Sequence, residues 1–320
     1  MDNSKDDLVL DRGGLPNLDI HLFNKNAATI IYLAKQFLQM DIGDKIPTFS
    51  ELSSKLSIAR GTIQSSLKAL NDTGAIEINP CGHVGTILVK KEVRILAQMA
   101  NIQVLKGLMP IPSSKQEEAF ATGLLTSIEN ECGIFVNMTY IPDSEKRAQY
   151  LLKYDCDFAI VSKKWLTSIN KSKDIIEVLE FGEGTYRNQY SLLFWDKKVK
   201  QIQEKMTVGL IQEDSEQNYL TAELVNGKKV KYKSADSRSI LNMIITKKID
   251  VVLWNKTDLN YNLLGFNEQN ITFDDEVTTA VLIIKKEKIE YLKLLREIIK
   301  IDEVKKVQKK VLEGKLITKF

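Results

Sequence analysis

Residues 43–89 read GDKIPTFSELSSKLSIARGTIQSSLKALNDTGAIEINPCGHVGTILV, and this stretch decides how the chain is organised. Thr48 and Glu51 have capping-box spacing just after Pro47, so a short helix opens there and buries Leu52 and Leu56. Ser57-Ile58-Ala59 leaves room only for a turn. The next helix sets Ile63, Leu67 and Leu70 on one buried stripe and Arg60, Gln64 and Lys68 on the opposite face. No acidic residue lies between Leu52 and Asn71, whereas Lys55, Arg60 and Lys68 do, the bias a phosphate backbone selects. Two strands, about 75–79 and 86–90, follow as a wing with residues 80–85 as its turn. Upstream, Ala27, Ile30, Ile31, Ala34, Phe37 and Leu38 recur at three- and four-residue spacing, giving a helix that packs behind the others. The expectation is a winged helix-turn-helix over 24–90. Residues 1–23 lack periodicity and are interrupted by Gly13-Gly14 and Pro16, so they read as a flexible arm.

The order of G-D-K-I-P-T, an E-L pair in a short helix, S-I-A-R-G-T-I-Q-S-S-L-K-A-L, a turn at Asp72 to Gly74 and a glycine-rich wing at Gly82 to Thr86 resembles the GntR-type winged-helix domain. The resemblance implies that the second helix of the motif enters the DNA major groove and the wing touches flanking backbone. Carried onto this chain, it points to Thr48 and Ser50 at the first helix, to Arg60, Thr62, Gln64 and Lys68 on the recognition helix, and to Gly82, His83 and Thr86 in the wing. Three positions depart from the family: Ser50 and Gln64 stand where Arg is common, and Ala59 where a capping Ser is. Two fewer cations weaken the electrostatic attraction, so affinity is expected to be modest or to lean on the wing and a dimer partner. Gln64 keeps an amide suited to adenine. Winged helices also serve as protein-binding or structural modules, Arg60 or Lys68 alone is an ordinary solvated charge, and a lone His83 in a wing is ordinarily a solvent-facing turn residue. Turn, spacing, wing and charge agree in favouring DNA.

At 320 residues the chain has room for two or three units, and 43% hydrophobic content supplies their cores. A net charge of +3 confines any nucleic-acid patch to one region. Cys81, Cys132 and Cys156 form no C-x-x-C pair, and His21 and His83 are the only histidines, so no metal or other cofactor is expected. The polar, acidic N-terminus is no secretory signal, and no run approaches the ~18 apolar residues of a membrane span. A cytoplasmic protein with no membrane partner is expected.

After a link at 91–101, short apolar strands alternate with amphipathic helices. Strands near 102–109, 134–140 and 157–161 alternate with helices over 114–130 and 144–152, and strands near 177–180 and 190–195 follow. A second series begins with strands at 206–211, 229–232 and 250–254, with helices from Asp214 or Ser215 and over 237–246. A polar stretch then leads to a strand at 278–284 and helices over 288–301 and 302–312. Two similar βαβαβ halves emerge, with crossings near 182–190 and 273–277, hence lobe 1 at 102–185 and 277–320 and lobe 2 at 186–276. The segments GLMPIPSSKQEEAFATGL, DFAIVS, VGLIQEDSEQNYLT and IDVVLWN resemble the type 2 periplasmic-binding-protein fold used as an effector domain. With the winged helix in front, the chain resembles the YhfZ-like group of bacterial regulators. The expected fold class is α/β, a winged helix-turn-helix followed by a two-lobed effector domain.

A ligand belongs in the crevice at the strand ends. Pro112, Ser113 and Ser114 stand where the first strand delivers a helix N-terminus, a seat for a carboxylate or phosphate, although Ser114 with Glu117 is also a capping box. Ser162 holds the equivalent loop in the same lobe, and Asp214, Ser215 and Asn255 are counterparts in the other. Tyr186 and Arg187 lie at a crossing and could close over an anion, although such loop residues are ordinarily surface. Trp165, Trp195 and Trp254 are read as core. A small polar or singly anionic metabolite suits this set better than a polyphosphate. The leading reading is a transcription regulator that binds a double-stranded operator as a homodimer and responds to a small-molecule effector. The alternative is an enzyme or solute-binding protein with the winged helix as an interaction or oligomerisation module. Its catalytic candidates are poor: both histidines lie outside the α/β region, neither Cys132 nor Cys156 has a nearby His, and nothing pairs with Asp214, so no catalytic residue is expected. A LysR-type regulator is disfavoured because the link is too short for that family's dimer helix.

Overall fold

Helix α1 (Lys25–Leu38) buries Tyr32, Leu33, Ala34, Phe37 and Leu38 against the helix-turn-helix; of the stripe its periodicity predicts, Ala34, Phe37 and Leu38 are buried, whereas Ala27, Ile30 and Ile31 are half-buried. The computed structural model describes residues 25–112, 114–169, 174–187, 190–255 and 265–319; the expected arm at 1–23 and Ser113 lie outside them. Helix α2 (Phe49–Leu56) opens at Thr48 with both halves of the capping box formed, and it buries Leu52 while Leu56 stays half-buried. Ser57 takes the left-handed conformation (φ 52°) that ends α2 and turns the chain. Helix α3 (Arg60–Asp72) then buries Ile63, Leu67 and Leu70. Strands β1 (Ile76–Pro80) and β2 (Thr86–Lys91) form the antiparallel wing, and residues 43–46 lie along β2 as a short third strand through Gly43 N–H to Leu88 O (2.8 Å) and Ile46 N–H to Thr86 O (2.9 Å). Lys91 Nζ donates to Met40 O (2.8 Å), an ammonium placed where α1 leaves carbonyls free.

The stretch expected to be a link contains helix α4 (Val93–Met99), which packs on α1 and buries Leu96 and Ala97. Val93, Leu96, Ala97 and Ala100 carry a helical stripe, so the segment is part of the first unit's core rather than a spacer.

The second unit, from Val104 onward, holds two five-stranded sheets. The first lobe runs β3 (Val104–Met109), α5 (Lys115–Cys132), β4 (Phe135–Tyr140), α6 (Ser144–Lys153), β5 (Phe158–Ser162), α7 (Lys163–Ser168) and β6 (Ile175–Gly182). The second runs β7 (Tyr190–Phe194), β8 (Thr207–Ile211), α8 (Ser215–Val225), β9 (Lys231–Ala235), α9 (Ser237–Ile245), β10 (Val251–Asn255) and β11 (Asn267–Ile271). After α10 (Asp275–Thr278) the chain returns to the first lobe as β12 (Ala280–Lys285), α11 (Tyr291–Ile298) and α12 (Ile301–Leu312). The sheet orders are β4-β3-β5-β12-β6 and β9-β8-β10-β7-β11, with β12 and β7 antiparallel to their neighbours. Each lobe thus repeats one plan: three parallel strands, one antiparallel strand contributed by a crossing, and an outer strand. This is the two-lobed arrangement that the sequence resemblance implies.

Helices α5 and α12 approach at Gly123, where a Cβ would stand 2.5 Å from Val304 O. The two crossings are hydrogen-bonded to each other, Tyr186 N–H to Thr278 O (2.8 Å) and Ala280 N–H to Thr185 Oγ1 (3.0 Å). Strand β11 and helices α7 and α10 depart from the sequence expectation. The sequence NEQNI of β11 is polar on both faces because it is an edge strand pairing only with β7, so it lacks the apolar alternation that marks a strand.

Candidate functional site

On α3 the side chains of Arg60, Gln64 and Lys68 are exposed one turn apart, with Thr62 half-buried beside them. The opposite face of the helix is packed, so these residues define its free face. Thr48 does not offer its side chain to a partner: its hydroxyl accepts from Glu51 N–H (3.2 Å) and donates to Glu51 Oε2 (2.9 Å). The Thr48 backbone N–H and hydroxyl hold the Glu51 carboxyl below its ordinary range. Ser50 is exposed on the first turn of α2. At the wing tip Gly82 (φ 55°) and Gly85 (φ 100°) make the turn, His83 is exposed, and Thr86 is half-buried with its carbonyl engaged by Ile46. The N-cap of α3, Ala59, makes no side-chain cap bond.

In the second unit three of the expected ligand residues, Ser114, Ser162 and Asp214, are helix caps. Ser114 Oγ accepts from Glu117 N–H (3.1 Å) at α5, Ser162 Oγ from Trp165 N–H (3.0 Å) at α7, and Asp214 Oδ1 from Gln217 N–H (2.9 Å) at α8. The anion seat anticipated at α5 is taken by the chain itself, because the Glu117 carboxylate accepts from Ser114 Oγ (3.2 Å) and from Arg187 Nε (3.3 Å). Pro112 is half-buried beside this cap, and Asn255 is buried at the end of β10.

Arg187 and Tyr186 are not surface residues. Arg187 is 7% exposed and joins both lobes: it donates to Glu117 and Pro142 O on one side and to Asp214 on the other. Across the same interface Ser215 N–H donates to Asp143 Oδ2 (2.6 Å), and Ser144 Oγ donates to Glu216 Oε2 (3.0 Å). Arg147, fully buried, donates to Ile160 O (2.7 Å), Ile141 O, Ser144 Oγ (2.8 Å) and Tyr186 Oη (2.7 Å).

The electrostatics of this cluster are lopsided. Glu117, Asp143, Asp214 and Glu216 are four buried carboxylates facing two buried guanidinium groups, Arg147 and Arg187. Burial works against the Arg187 charge, but Asp214, with help from Glu117, outweighs it and holds the guanidinium protonated. Burial also pushes Asp143 up, yet hydrogen bonds from Ser215 and the Lys146 N–H outweigh it and leave the carboxyl below its usual range. Glu216 goes the other way: burial and then the Asp214 charge raise its pKa, against the pull of Arg187, Ser162 and Arg147. Its Oε1 and the Tyr190 hydroxyl are buried without a hydrogen-bond partner among the described residues.

Sequence reasoning named Ser162, Asp214, Ser215, Tyr186 and Arg187 and missed Asp143, Ser144, Arg147 and Glu216. One signal was available, since Arg147 falls on the same α6 face as Ser144, Ala148 and Leu151, all buried. Trp165 and Trp254 pack in or against the lobe cores as expected, whereas Trp195 is 40% exposed with Lys247 Nζ 5.4 Å from its ring centroid.

The chain matches the family described as YhfZ C-terminal domain over residues 92–320 and the helix-turn-helix domain family over residues 41–88. It is 26% identical to the uncharacterized protein YhfZ of Escherichia coli (strain K12) across 294 residues, covering 91% of this chain and 96% of that protein. Among solved structures it is similar to YhfZ from Shigella flexneri, at a TM-score of 0.60 and 22% identity over 71% of this chain and 98% of that one. The aliphatic sulphonate binding protein SsuA from Escherichia coli is also similar, at a TM-score of 0.49 and 11% identity over 66% and 75% of the two chains.

Proposed function

The chain belongs to the YhfZ family, whose C-terminal domain spans residues 92–320, and from that premise we propose that it is a transcription regulator controlled by a small polar metabolite held between its two lobes. Its head is read as GntR-type, binding double-stranded operator DNA in the cytoplasm as a homodimer. The observation that carries the reading is the pairing, in one chain, of a free α3 face bearing Arg60, Gln64 and Lys68 with two lobes joined through buried Arg187. Arg60 and Lys68 neutralise phosphates, and Gln64 presents a bidentate amide to a base edge. Dimerisation follows from the two-fold symmetry of operators read by such heads.

Regulation is a population shift. A ligand that binds one lobe arrangement better than the other changes operator affinity by its differential free energy, and a coupling of about 1–3 kcal/mol suffices.

The test is selection of genomic fragments by the purified protein at two salt concentrations, with an Arg60→Ala, Gln64→Ala double variant alongside. Enrichment of one palindromic site, lost in the variant while its fold is kept, is the expected result. The affinity should fall with salt with a log–log slope of about 0.9 per phosphate neutralised, shallower in the variant. Absence of any enriched site at low salt, with and without cell metabolites, overturns the regulator reading.

A further inference from the structure

We infer that the effector between the lobes carries an ammonium or guanidinium group, and that Glu216 is the anion that receives it; this rests on the reading of the two-lobed unit as a ligand-binding domain. The class is opposite to the anion that the helix N-termini alone suggest. Those N-termini are already engaged: Ser114, Ser162 and Asp214 cap them, and Glu117 and Asp143 fill the space around them.

Three observations lead to a cation. Four buried carboxylates stand against two buried guanidinium groups, so the interface between the lobes has acceptor charge left over. Arg187 is committed to Glu117 and Asp214, and Arg147 spends its donors on Ile141 O, Ile160 O, Ser144 and Tyr186, so neither guanidinium donates to Glu216. The surplus then localises on one atom: Glu216 Oε1 is buried and unpartnered among the described residues, and so is the hydroxyl of Tyr190 in the same cluster. A buried carboxylate oxygen and a buried phenol, with the Tyr186 ring nearby, are acceptors and π faces, the surroundings an organic cation prefers over water. A metal ion is disfavoured, because among the described residues no group of three His, Cys, Asp or Glu side chains converges as a metal site. Burial and the Asp214 charge push the Glu216 pKa up, and a cation seated beside it would act in the opposite direction.

The experiment titrates the full chain and Glu216→Gln with two sets of matched probes, read by thermal melting and by calorimetry. One set is arginine and citrulline, equal in shape but not in charge; the other is butane-1,4-diamine, butane-1,4-diol and butanedioate. The expected result is that the cationic member of a set raises the melting temperature of the wild type and binds at least roughly tenfold more weakly to Glu216→Gln. The variant removes the surplus charge and should fold, and its own melting transition checks that. A neutral or anionic member that binds better than its cationic match overturns the inference while leaving the small-molecule reading in place. Cation binding that is unchanged in Glu216→Gln also overturns it. If no probe of any charge shifts the wild type at millimolar concentration, the inference fails; if a metabolite extract then also leaves the melting and the operator affinity unmoved, the ligand-binding reading fails with it.

Discussion

Glu216 illustrates how a single side chain can be positioned at a cost. It is held between Asp214 on its own helix, Arg187 and Tyr186 on the crossing, Ser144 and Arg147 on α6, Ser162 at the end of β5 and Tyr190 on β7. Its folded pKa lies above the ordinary 4.5, chiefly through burial and then Asp214, so the folded state holds the proton more tightly than the unfolded one. The sign follows: whatever stability the protonated group lends is present in acid and is lost as pH rises from 4.5 through the raised value. Glu216→Gln should therefore raise the melting temperature at neutral pH, by the equivalent of about 1–2 kcal/mol, and flatten the decline of stability between acid and neutral pH. Melting curves of the two proteins across that range check both parts. None of this was legible in the sequence, where Asp214 and Ser215 are read as ligand contacts at a helix start and Glu216 carries no signal of its own. Burial of Glu216 comes from the other lobe, a contact made across the fold, and local composition carries no trace of it. Arg187 stands out in the sequence as a residue that could close over an anion, but its burial comes from contacts with both lobes that its glycine-flanked loop does not show.

Among elements, helix α3 begins without a side-chain cap, as α4, α11 and α12 also do. Thr48 caps α2 fully, but Ala59 gives α3 no side-chain acceptor although its backbone (φ −59°, ψ 141°) already suits an N-cap. Ala59→Ser should stabilise α3 by about 1 kcal/mol, seen as slower amide exchange along its first turns with no change elsewhere in the head. The elements that sequence reasoning placed well are those whose signals are local. The Thr48–Glu51 box, the Ile63–Leu67–Leu70 stripe and the apolar strands β5, β10 and β12 each declare themselves within a few residues. Helix α4 had a readable stripe too, yet its place between two units suggested a spacer. Strand β11 had no stripe to read, because β7 pairs with it through the backbone and asks little of its side chains.

At the scale of the whole molecule, the order of assembly differs from the order of the chain. Lobe 2 is one continuous stretch, whereas β12 must arrive from beyond it to sit between β5 and β6. A chain ended after Thr279 leaves β6 with no neighbour in its sheet and the buried face of β5 uncovered. It should lose cooperative melting of the first lobe and aggregate, while lobe 2 retains its protected amides. Limited proteolysis with mass spectrometry distinguishes the two lobes.

The hydrogen bonds from Tyr186 to Thr278 and from Ala280 to Thr185 make the two crossings one double-stranded joint. A single tether would let the lobes swivel and twist as well as open. Two tethers fastened side by side suppress the swivel and leave rotation about the line of the joint. If the proposed effector sits between the lobes, this joint would convert its binding into a single coordinate, an angle, and a signal with one degree of freedom is one that noise in the others cannot blur.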